Sequence, residues 1–81
     1  MNPKIYVGVL VEVSAAGKMR PVRMVWEDGR RFNVDRVLDC RRAVSLKAGG
    51  QGTRFTCKMH GKTTYLFNED GRWFMERQGS E

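Results

Sequence analysis

Apolar side chains occupy every odd position from Ile5 to Val13, and this period of two predicts a β-strand with one face turned to a core. Ile5, Val7, Val9, Val11 and Val13 are all β-branched, which suits a pleated surface. The even positions, Lys4, Tyr6, Gly8, Leu10, Glu12 and Ser14, are mixed and form a partly covered second face. Gly8 inside the run predicts a bend or bulge of the kind that turns a sheet corner. Ala15-Ala16-Gly17-Lys18 supplies a turn. The pattern resumes after Pro21, with Val22, Met24 and Trp26 on one face and Arg23 on the other. Glu27-Asp28-Gly29-Arg30 then predicts a hairpin with a type I′ turn, which needs positive φ at both Asp28 and Gly29.

From Phe32 to Leu46 the apolar residues fall mainly on even positions, with Arg36 and Arg42 as interruptions. A bent strand, or two short strands joined near Asp35-Arg36, is the expected form. Val37, Cys40 and Val44 also lie at helical spacing, so one short helical turn around Ala43–Lys47 stays open. Ala48-Gly49-Gly50-Gln51-Gly52 reads as a loop. Thr53–Met59 alternates, with Phe55, Cys57 and Met59 inward and Arg54, Thr56 and Lys58 outward. Turns at His60-Gly61-Lys62 and Asn68-Glu69-Asp70-Gly71-Arg72 set off strands at Thr63–Phe67 and Trp73–Arg77. The sum is an all-β fold: a small antiparallel barrel or rolled sheet of five to six strands, SH3-like in kind. The two Glu-Asp-Gly-Arg stretches read as one turn solution used twice.

Length makes this a single β domain over residues 1–77 with a frayed tail at 78–81. A chain of this size buries only about two thirds of its unfolded surface, so a roomy catalytic cavity would compete with a thin core. Charge changes the picture further. There are 15 Lys and Arg against 9 Asp and Glu, a net charge of +6, and arginine outnumbers lysine two to one. Arginine presents a planar fork to phosphates and stacks on rings, which points to nucleic acid or an acidic protein as partner. A charge of that size also simply keeps a small domain soluble.

Catalytic chemistry finds no purchase. His60, the one histidine, falls at a hairpin tip, and Asp28 and Asp70 already serve as turn residues. Cys40 and Cys57 lack the Cys-x-x-Cys spacing of a structural zinc site. They are expected to be small buried thiols, with a disulfide between them left open. Gly49-Gly50-Gln51-Gly52 precedes no helix and is not a phosphate loop. The expectation is therefore no enzyme, no metal and no cofactor. The apolar run Ile5–Val11 is too short to span a bilayer or to serve as a signal sequence, which makes the cytoplasm the expected location.

Binding is the better-supported class. Arg23, Arg31, Arg41, Arg54 and Lys58 all face outward if the alternations hold, and Tyr6, Tyr65 and Phe74 lie opposite the inferred core rows. Basic rows beside exposed rings are how small β modules hold single-stranded nucleic acid. The alternative is a protein-interaction or self-associating module using Trp26 and Trp73, each beside an Asp-Gly turn, or an exposed sheet edge.

The stretches Met24-Val25-Trp26-Glu27-Asp28-Gly29-Arg30-Arg31-Phe32-Asn33-Val34-Asp35-Arg36-Val37-Leu38-Asp39 and Tyr65-Leu66-Phe67-Asn68-Glu69-Asp70-Gly71-Arg72-Trp73-Phe74-Met75-Glu76-Arg77 carry a likeness. Together they resemble a family of small bacterial β domains of unknown function. Its members occur alone and as C-terminal stretches of Y-family polymerase-like proteins. The resemblance implies the same small β fold and a nucleic-acid or polymerase-partner setting. It assigns no functional residue.

Overall fold

The computed structural model describes residues 4–44 and 51–76. They form eight strands: β1 (Lys4–Tyr6), β2 (Gly8–Val13), β3 (Met19–Val25), β4 (Arg31–Asn33), β5 (Arg36–Val44), β6 (Gln51–Met59), β7 (Lys62–Glu69) and β8 (Arg72–Glu76). A five-stranded sheet runs β1-β8-β7-β6-β5 and a three-stranded sheet runs β2-β3-β4, with every pair antiparallel. These strands amount to six passes of the chain, because two passes cross from one sheet to the other. The first crosses at Val7, whose amide donates to the Trp73 carbonyl (3.0 Å). The second crosses at Val34-Asp35. There the Val34 amide donates to Val22 in the small sheet (3.0 Å) and the Asp35 amide to Lys58 in the large one (2.8 Å).

The result is a rolled antiparallel sheet. Gly8 sits at the first crossing, as a corner residue should. The Phe32–Leu46 stretch resolves into two strands, with Ala43 and Val44 in β5 and residues 45–47 outside the described residues. The expected tail at 78–81 lies outside them too. The expected glycine loop is shorter than its composition implied, since Gln51 and Gly52 belong to β6 and pair with Val44 and Ala43.

Between the sheets lies the main core. Met24 from the small sheet meets Phe55, Cys57, Met59, Leu66 and Trp73 from the large one, with Val7, Val9 and Val11 packed alongside. The inward row of β6 is the one the alternation predicts. Two bulges reset that alternation elsewhere. On β3, Leu10 pairs with Arg23 but Val11 pairs with Pro21, so Val22 is an extra residue. Pro21 and Met24, an odd number of positions apart, can then both be buried. On β5, Val37 pairs with Cys57 but Asp39 pairs with Thr56, so Leu38 is extra and exposed. The even apolar row expected from Phe32 onward therefore breaks, and Val37 faces the core instead of Leu38. Cys40 regains the inward parity opposite Phe55, yet on this edge strand it is exposed and free, not buried as expected.

The two Glu-Asp-Gly-Arg turns differ. At 69–72, Asp70 (φ 54°) and Gly71 (φ 85°) both take positive φ between the paired Glu69 and Arg72, which is a two-residue type I′ hairpin. At 27–30 only Gly29 does so (φ 92°). Its amide donates to the Trp26 carbonyl (2.9 Å), and the Trp26 amide donates to Arg30 (2.7 Å), giving a three-residue loop with glycine in the left-handed position. The type I′ expectation for Asp28-Gly29 is thus corrected. Asp28 is freed from left-handed backbone, and its carboxylate accepts from the Arg30 amide (3.0 Å) and Nε (2.7 Å).

That carboxylate carries a pH dependence. The Arg30 amide, then the Arg30 side chain, hold the Asp28 carboxyl below the ordinary aspartate value of 3.8. A group depressed on folding contributes stability that is full above its unfolded pKa and lost as pH falls through its folded one. Carboxyl-detected NMR titration is expected to place the Asp28 midpoint below 3.8. Asp28→Asn is expected to flatten the acid side of the stability profile. An Asp28 midpoint at or above the ordinary value would contradict the hydrogen-bonded turn.

Candidate nucleic-acid interface

Directly paired residues in an antiparallel sheet point to the same side, so the register fixes the outer face of the five-stranded sheet. Across it, β1 contributes Tyr6 opposite Phe74 of β8, and Phe74 lies opposite Phe67 of β7. Phe67 in turn lies opposite Arg54 of β6, and Arg54 opposite Arg41 of β5. Phe67 and Phe74 stack face to face, with centroids 5.0 Å apart and planes 6° apart. They form a second buried cluster on the side away from the main core. Tyr6 meets Phe74 edge-on at 6.1 Å, and Lys4 Nζ stands 4.9 Å from the Phe74 centroid while bonding Glu69 (2.8 Å).

Phe74 is fully buried, although the sequence pattern placed it among exposed rings. Trp73 points to the main core and packs on Phe55 at 5.1 Å, so it is 8% exposed. Neighbouring apolar residues are buried on both faces here. Tyr6 (42% exposed) and Tyr65 (43%) are the rings that reach solvent. Each carries an arginine: Arg72 lies 3.9 Å over the Tyr6 ring and Arg54 lies 4.8 Å over Tyr65.

The five cations expected to act together are divided by the roll of the sheet. Arg41, Arg54 and Lys58 share the outer face of the large sheet. Arg23 and Arg31 lie on the outer face of the small one, where Arg23 Nε donates to Asn33 Oδ1 (3.1 Å). The large face gains Arg36, paired with Lys58, together with Arg72 and Lys4. Those three were not singled out in the sequence, because their place depends on non-local pairing. Arg41 and Arg54 stand directly opposite, a repulsive arrangement. Asp39 relieves it by accepting from Arg41 Nε (2.7 Å). This bond, with smaller help from Arg54, draws the Asp39 carboxyl below its ordinary value. Arg54 Nε is buried with no hydrogen-bond partner among the described residues.

Other chemistry is sparse. Cys57 is buried, which pushes its thiol up to about 11, with a smaller contribution from Cys40. Such a thiol is a poor nucleophile at neutral pH. His60 is exposed at its turn, edge-on to Phe32 at 5.5 Å. Trp26 is half-buried and lines an apolar groove of about 380 Å³, where the inter-sheet space opens beside the His60 turn. The two tryptophans therefore do not form one exposed pair. No protein-family profile, curated protein or solved structure matches the chain.

Proposed function

We propose that the chain is a non-catalytic module that holds single-stranded nucleic acid on the outer face of its five-stranded sheet. One observation carries this reading: the two exposed rings on that face, Tyr6 and Tyr65, each sit beneath an arginine. Around them stand Lys4, Arg36, Arg41 and Lys58, opposed among the described side chains by Asp39 and Glu69. Bases stack on tyrosine and on guanidinium planes alike, while the surrounding cations pair with phosphates. No base-edge reader is evident in this set, so the expected binding is tolerant of sequence. The likeness to domains that accompany polymerase-like proteins fits the same setting. Two free thiols accord with a reducing compartment such as the cytoplasm.

Fluorescence anisotropy with labelled oligothymidylate and oligouridylate tests the proposal. Binding of about 1–100 μM is expected at physiological salt, tightening steeply as salt is lowered. Each of Arg54→Ala and Lys58→Ala should reduce the log–log salt slope by about 0.7. Tyr65→Ala should weaken binding by about five- to a hundredfold, the loss of one stacked base. Arg23→Ala, on the other sheet, should leave it unchanged. A flat titration at low salt ends the proposal.

A second reading, self-association, is favoured by the β2–β3 hairpin. Leu10, Val13 and Met19 are exposed there, and β2 is an edge strand in the three-stranded sheet. Sedimentation at increasing concentration separates the readings, since a concentration-dependent dimer supports this one and a monomer removes it.

A further inference from the structure

The groove between the sheets has a composition unlike the rest of the surface. Its floor is Met24, Trp26 and Phe32 from the small sheet and its turn, facing Met59 and Met75 from the large sheet. Its cationic members are Arg30 and Lys62, with the His60 imidazole beside them, and no carboxylate lines it among the described residues. The register explains how a lysine comes to lie against an apolar floor. Lys62 pairs with Met59 and so shares the inward side of β7, just where the three-residue β4 leaves the sheet end uncovered. Lys62 has no ion-pair partner among the described residues. Arg30 is held at the mouth by Asp28 (2.7 Å) and by the Phe32 ring 5.5 Å away. Thr64 adds a hydroxyl to the wall.

A volume of about 380 Å³ falls within the range of small-ligand sites. Three thioethers give a floor that adapts to the shape of its occupant. We infer that this groove binds a small amphiphile with an apolar body and a single anionic head. The body lies along Met24, Met59 and Met75 beside Trp26, and the head pairs with Lys62 and Arg30 at the mouth. Charge complementarity selects the sign of the head. Asp28 already takes up part of the Arg30 guanidinium, but Lys62 stands without an ion-pair partner among the described residues, so an anionic head gains a partner there and a cationic one is repelled. The site is separate from the outer face of the large sheet and does not rest on the nucleic-acid reading.

The test uses the whole chain and three ten-carbon probes, decanoate, decylamine and decanol, each kept below its micelle concentration. Calorimetry is paired with tryptophan fluorescence. Decanoate should bind saturably and shift the Trp26 emission, with decylamine at least about tenfold weaker. Lys62→Glu should weaken decanoate by about tenfold or more, and Lys62→Arg should keep it. Arg54→Ala should leave decanoate binding intact while weakening oligonucleotides, so the two sites fail independently. Equal binding of decylamine and decanoate, indifference to Lys62→Glu, or no saturable binding would each overturn the assignment. Lys62 is exposed, so its variants are expected to fold, and circular dichroism verifies this.

Discussion

Replacing Phe74 by alanine is expected to cost about 3–5 kcal/mol, the largest single-residue loss in the molecule. The ring is 0% exposed, stacks on Phe67 at 5.0 Å and supports the edge of Tyr6 at 6.1 Å. Truncation leaves Phe67 without its partner and opens a cavity that neighbouring strands, fixed by their ladders, cannot fill. A domain of this length has a total stability of about 4–12 kcal/mol, so the variant should lose from about a quarter to all of it. Its melting midpoint should fall by about 12–40 °C. Phe74→Leu keeps much of the volume and should lose far less. Urea and thermal unfolding followed by circular dichroism measure both. A loss below about 1 kcal/mol for the alanine would mean that the second cluster is not a real core.

Gly52→Ala is expected to be nearly as damaging, for the opposite reason. A Cβ at this position would stand 2.3 Å from the Asn68 carbonyl oxygen and 3.2 Å from the Glu69 Cα. Both are backbone atoms of β7, so no side chain can swing aside, and β6 and β7 have to part where Thr53 pairs with Asn68. Overpacking of this kind costs about 3 kcal/mol, or about 12–24 °C in the melting midpoint. Gly8→Ala is the control. Its nearest neighbour would be Val25 Cβ at 3.4 Å, and its backbone needs no glycine, so a change within about 1 kcal/mol is expected. Equal melting of the two variants would show that β6 and β7 are not in that close contact.

Much of the fold is legible in the sequence because the information is local. The odd row from Ile5 to Val11, the Phe55-Cys57-Met59 row and the glycine of each turn are set by a period of two and by backbone sterics within a few residues. What escaped depends on partners distant in sequence. A tandem such as Trp73-Phe74 or Leu66-Phe67 has no polar member to mark the outer face, so parity alone cannot say which ring is buried, and here both are. The bulges at Val22 and Leu38 change parity without any glycine to announce them. Identical Glu-Asp-Gly-Arg strings gave different turns because the hydrogen-bonded pair begins at Trp26 in one and at Glu69 in the other.

The candidate surface follows the same logic. Arg54, Lys58 and Arg41 could be placed together from strand alternation. Arg23 and Arg31 could not be separated from them without the crossing at Val34-Asp35. The stack of Arg72 on Tyr6 exists only because β1 returns to β8. The groove depends on which sheet runs longer at one end, a difference that no stretch of sequence records.

That return of β1 to β8 also orders the assembly of the molecule in time. Every other strand pair joins consecutive strands of the chain, as in the turn of two residues between β6 and β7, and loops this short close at little entropic cost. Lys4 and Glu76, by contrast, meet only after nearly the whole chain has been drawn together. Their pairing becomes favourable once the β5-to-β8 meander has already formed a template. The Arg72–Tyr6 pair of the outer face is consequently among the last features to take shape, completed by a short strand that acts as a late clasp on a sheet where Arg54 and Tyr65 already meet.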